Sequence, residues 1–112
     1  MKIVDYKEIQ KNVLGIPGAK DVAVRLAVGA EDGAQNFIMM VLEIAPGGNT
    51  PFHHHAWEEE IFIKSGSGKL KTADTTLDIS EGTVLFFKGD EPHQFINTGS
   101  SPLEAICVIP KR

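Results

Sequence analysis

The chain has 112 residues, 42% hydrophobic and 23% charged, which allows one ordinary globular domain with a single core and argues against disorder. Its net charge is 11 − 15 = −4, with no stretch concentrating Lys or Arg, so neither nucleic acid nor an anionic membrane is an expected partner. The longest apolar run, Phe37 to Leu42, is too short to cross a bilayer, the start "MKIVDYKEIQ" has no apolar core of signal-peptide length, and the lone Cys107 has no internal disulfide partner. Together these features predict a cytoplasmic protein.

Residues 1–20 read as an N-terminal arm. Asp5 and Glu8 stand at capping-box spacing and allow one short helical turn, and "GIPGAK" then punctuates the chain. From residue 21 to 112 the pattern is all-β, in short runs broken every eight to twelve residues by turn chemistry. "VAVRLAV" alternates, which predicts Val22, Val24, Leu26 and Val28 on one face and Arg25 on the other. "FIMMVLEI" is apolar on both faces and reads as a central or interface strand, ended by "APGGNT". "PFHHH", "EEIFIK", "KLKTA", "TLDIS", "TVLFF", "HQFIN" and "PLEAICVI" follow, giving roughly nine strands and a sandwich or small barrel.

Chemistry concentrates in "TPFHHHAWEEEIF", which holds three of the four histidines; the fourth, His93, lies in "GDEPHQFIN". Such a cluster can be a solvated loop, an ion-pair patch or a set of metal ligands. On a strand, residues i and i+2 share a face about 6.6 Å apart, so His53 and His55 lean together while His54 points away and stays partly exposed. If "EIFIK" is the next strand, Glu59 shares a face with Ile61 and Ile63, which points it inward, where a metal compensates a buried carboxylate. Three imidazoles and a carboxylate suit Mn, Fe, Co, Ni, Cu or Zn better than Mg or Ca. Cys107 shares an apolar face with Leu103, Ala105 and Ile109 and reads as core, and Trp57 reads as an anchor for the loop between two candidate ligands.

The residues fit a two-part pattern. Gly47, His53, His55, Glu59 and Gly66 fill G-x5-H-x-H-x3-E-x6-G, and Gly82, His93 and Asn97 match G-x5-P-x-G-x2-H-x3-N, with Lys88 and Asp90 replacing the usual proline and second glycine. In these motifs the chain resembles the cupins, and most closely the small single-domain cupin-2 type. The resemblance implies a jelly-roll (double-stranded β-helix) barrel, a homodimer, and one divalent transition metal bound by His53, His55, Glu59 and His93. It further implies a small-molecule substrate or ligand. An oxygenase-type metal-dependent enzyme is the first expectation; a non-catalytic binding or sensing protein and a Lewis-acid isomerase or lyase are the alternatives. Fold alone does not decide among them.

Overall fold

The computed structural model describes residues 1–112. Nine strands form one continuous antiparallel sheet, curled into a small jelly-roll barrel: β1 (Lys11–Val13), β2 (Lys20–Val28), β3 (Phe37–Asn49), β4 (Glu59–Ser65), β5 (Ser67–Thr72), β6 (Thr76–Ser80), β7 (Val84–Phe87), β8 (His93–Ile96) and β9 (Leu103–Pro110). The strand order is β6-β5-β8-β3-β9-β4-β7, with β2 also pairing with β3 and β1 extending the sheet beyond β2. No helix is long and apolar enough to cross a membrane.

Alternation along three neighbouring strands sets the barrel's polarity. On β4, Ile63 and Ile61 are buried and Glu59 follows them on the same face; on β9 the inward series is Leu103, Ala105, Cys107 and Ile109; on β3 it is Ile44, Leu42 and Met40. Each series begins in the aliphatic core of Ile44, Ile63 and Leu103, all at 0% exposure, and ends at the wall of an open cavity. One end of the barrel is therefore packed shut and the other is hollow. Asn97 braces the shut end, donating from Nδ2 to the Ile44 and Ser101 carbonyls at 2.8 and 2.9 Å while Oδ1 accepts the Gly99 N–H. Gly66 turns the chain from β4 to β5 at φ +86, where a Cβ would stand 2.4 Å from the Pro102 carbonyl oxygen.

Four details differ from the expectations. β3 does not end at "APGGNT" but runs on to Asn49, carrying Gly47 at φ +82 within it. "PFHHH" is not a strand; its only ladder contact is a bridge from His53 to His93. Val28 does not share a face with Leu26, because a register shift between them turns Val28 to the outer face, beside Met39 and Val41. Residues of the arm also join the sheet. Lys11–Val13 pair with β2, and the Asp5-capped turn Tyr6–Glu8 lies against the outer face, where Tyr6 donates to Glu104. Arg25 faces that segment, donating to the Ile9 carbonyl at 3.1 Å.

Candidate metal centre

The site is built where a loop meets two strand ends. His93 opens β8, Glu59 opens β4, and His53 is tied to His93 by reciprocal backbone bonds, His53 N to His93 O at 3.2 Å and His93 N to His53 O at 2.9 Å. This single bridge carries the loop holding His53 and His55 across the mouth of the barrel. In the turn before His93, Lys88 donates its backbone N–H to Glu91 Oε1 at 3.1 Å, a bond that the usual proline could not make. Asp90 adopts φ +64, a left-handed conformation open to aspartate, and its N–H bonds the His55 carbonyl at 2.6 Å. Gly89 passes so close to Ala56 that a Cβ would lie 2.5 Å from its carbonyl oxygen.

Ring nitrogens of His53, His55 and His93 lie within 4.8 Å of one another, a cluster that could hold a metal ion. Two of the rings are fixed by backbone carbonyls. His55 Nδ1 lies 2.8 Å from the Trp57 carbonyl, and His93 Nδ1 lies 2.8 Å from that of Glu91. A carbonyl only accepts, so both Nδ1 atoms carry a proton and both Nε2 atoms face the cluster. Phe87 stacks on His93 at 4.1 Å with the planes 5° apart, and Trp57 stacks on His55 at 4.5 Å, also at 5°. Glu59 Oε1 sits 3.2 Å from His55 Nε2 and 3.7 Å from His93 Nε2. His54 points outward, 3.6 Å from the exposed Asp90 carboxylate.

His93 Nε2 is fully buried and has no hydrogen-bond partner. An acceptor taken from water and left unpaired is costly, and a metal ion is the partner this geometry accommodates. Nitrogens sharing a metal at about 2.1 Å lie about 3 Å apart or more, so binding would draw the widest-spaced donors together. Burial, with the neighbouring imidazoles adding to it, pushes the His93 pKa down to about 4. His53 is also lowered, first by burial and then by repulsion from His55 and His54. At neutral pH the deepest imidazole is thus uncharged, not half of an ion pair. Burial raises the Glu59 pKa against the opposing pull of His55.

The sequence expectations converge here in part. His53, His55 and His93 come together, Glu59 reaches two of them, and His54 points outward, although a loop and not a strand holds the first pair. Glu58 and Glu60 are exposed, so only the middle glutamate of "EEE" is turned inward. Cys107 is fully buried core, its thiol pushed well up by burial and by the Glu59 carboxylate. Sequence reading missed the walls. A cavity of about 450 Å³ opens from the histidines and is lined by Val13, Leu14 and Ile16 of the arm, by Leu26, Met40 and Leu42 of the barrel, and by Trp57 and Arg112. The apolar character of Leu26 was the available signal; the contribution of residues 12–16 and of Arg112 is long-range and leaves no local pattern.

Comparison with known proteins agrees with this architecture. The polyketide cyclase RemF from Streptomyces resistomycificus superposes with a TM-score of 0.93 at 32% identity, covering 98% of this chain and 79% of that one. Auxin-binding protein 1 of Arabidopsis thaliana is 26% identical over 114 residues, covering 94% of this chain, and the oxalate-binding protein of Thermotoga maritima is 33% identical over 69 residues, covering 61%. The matched part is 57% of the length of each of these two curated relatives. The family model for the cupin domain matches residues 40–109, more than half of the chain and all four candidate ligands. The chain belongs to the cupin domain family.

Proposed function

We propose that this cupin is a metal-dependent enzyme acting on a small, largely apolar organic molecule, with His53, His55, Glu59 and His93 holding one divalent transition metal. The observation that carries the reading is the buried, unpartnered Nε2 of His93 at the centre of the histidine cluster. When bound, such a metal supplies Lewis acidity toward a substrate oxygen and, if redox-active, electrons for chemistry with O₂. The chain's own residues do the rest. The Trp57 and Glu91 carbonyls hold two imidazoles in the tautomer that presents Nε2 inward. Glu59 supplies the anionic donor, and the apolar walls favour a hydrocarbon-rich substrate beside it.

Between the two reaction types, the 32% identity to a polyketide cyclase supports Lewis-acid chemistry, while the three-imidazole, one-carboxylate donor set supports the oxygenase expectation. A non-catalytic binding role is the second reading, favoured by two relatives named for the ligands they bind. The test loads the purified protein with Zn, Fe, Mn or Cu in turn and offers phenols, enols and β-dicarbonyl compounds, aerobically and anaerobically. Turnover with Zn and without O₂ establishes Lewis-acid catalysis. Turnover confined to a redox-active metal with O₂ uptake establishes the oxygenase. Saturable binding without turnover establishes the binder. We also propose a homodimer, assembled through the outer face of the sheet described in the Discussion.

A further inference from the structure

The cavity is chemically divided. Its floor carries the three histidines and Glu59, its walls are mostly hydrocarbon, and its two other uncharged polar side chains are Asn12 and Thr50, whose hydroxyl accepts the Phe95 N–H at 2.8 Å. Arg112 is the only Lys or Arg side chain lining it. The guanidinium lies 3.6 Å from the centroid of the Trp57 ring, whose other neighbour in the stack is His55. It makes no hydrogen bond or ion pair with the protein, so its fork of N–H donors is held in place by stacking and left free at the cavity edge.

We propose that the cavity takes an apolar organic monoanion, with its hydrocarbon body against Leu26, Met40 and Leu42, its oxygen donors toward the histidines, and its carboxylate or sulfonate on Arg112. Only the placement of the oxygen donors rests on the proposed metal site. Walls of leucine, valine and methionine disfavour hydroxyl-rich molecules, because sugar hydroxyls buried there lose water and gain no partner. A planar, always-charged fork favours an anionic group that can accept two N–H bonds at once. A neutral molecule with the same body lacks that contact.

A matched pair of fluorescent probes tests this: 8-anilinonaphthalene-1-sulfonate, and N-phenyl-1-naphthylamine, which has the same body without the sulfonate. The wild-type protein should bind the sulfonate about tenfold more tightly than the amine, as expected for one charge-assisted contact at a partly exposed site. Arg112→Gln should erase that preference by weakening the sulfonate alone, and Leu26→Trp, which fills the cavity, should weaken both probes. Thermal unfolding of each variant confirms that it is folded. Equal affinity for the two probes, equal loss of both in Arg112→Gln, or no loss of either in Leu26→Trp overturns the proposal. Metal content measured on the same samples tests the metal site separately, and Arg112→Gln should leave it unchanged.

Discussion

His93 shows how one side chain joins fold to chemistry. It is 2% exposed, stacked on Phe87, bonded at Nδ1 and bare at Nε2. Its pKa in the folded chain is about 4, against 6.5 when unperturbed. The sign of the linkage follows. Above pH 6.5 both folded and unfolded states hold it neutral; between 6.5 and about 4 the unfolded chain binds a proton that the folded chain refuses. Metal-free protein should therefore lose stability as pH falls through that window, with a slope from this residue approaching 1.4 kcal/mol per pH unit, roughly. Urea titrations of chelator-treated wild type and His93→Gln check this, since the variant should lack that part of the slope; parallel curves would show that His93 charges freely in the fold. The spacing of the candidate ligands was legible in the sequence because the motif places His53, His55, Glu59 and His93 at fixed separations. The tautomers and both ring stacks were not, because they depend on Trp57, Phe87 and a carbonyl at Glu91 that no periodicity marks.

At the level of strands, β4 is where local pattern and structure agree best. Glu59, Ile61 and Ile63 turn inward and Glu60 and Phe62 outward, as period-two alternation requires. Ile63→Ala should cost about 2–5 kcal/mol, the range for emptying a packed aliphatic site, while Phe62→Ala should cost much less in the monomer because Phe62 is 46% exposed. Chemical denaturation of the two variants measures the difference, and similar losses would mean that the outer face is packed by something further. Pattern reading failed where backbone irregularity intervened. The shift between Leu26 and Val28 flips a face that simple alternation cannot foresee. β3 carries Pro46, Gly47 and Gly48 inside a continuous strand, although such residues ordinarily end one. "PFHHH" has the rhythm of its neighbouring strands, yet it is a loop placed by one bridge to His93, by the Asp90 N–H on the His55 carbonyl and by the Trp57 carbonyl on His55 Nδ1.

Across the whole molecule, the two faces of the sheet have different tasks. The inner face makes the core and the cavity. On the outer face, register aligns Met39, Val108, Glu60 and Phe86 in one row across β3, β9, β4 and β7, and Val41, Ile106, Phe62 and Val84 in the next. Phe62, Val84 and Phe86 are 46%, 73% and 50% exposed, a contiguous apolar surface of the kind that marks an interface. "FIMMVLEI" itself forms the central β3, whose outer Val41 is only 6% exposed beside Val4, Tyr6 and Ile9 of the arm, and a second copy of the chain is the occupant we propose for the surface on β4 and β7. Light scattering at micromolar concentration should give the dimer mass for the wild type and the monomer mass for a Phe62→Lys, Val84→Lys double variant. A monomeric wild type would remove the dimer.

Metal content of purified variants is the most direct test of the site. After loading with Zn and desalting, wild type and His54→Ala should each retain about one metal ion per chain, whereas His93→Ala, verified as folded by thermal unfolding, should retain almost none. Equal loss in His54→Ala and His93→Ala, or full retention in His93→Ala, would contradict a centre organised around the buried Nε2.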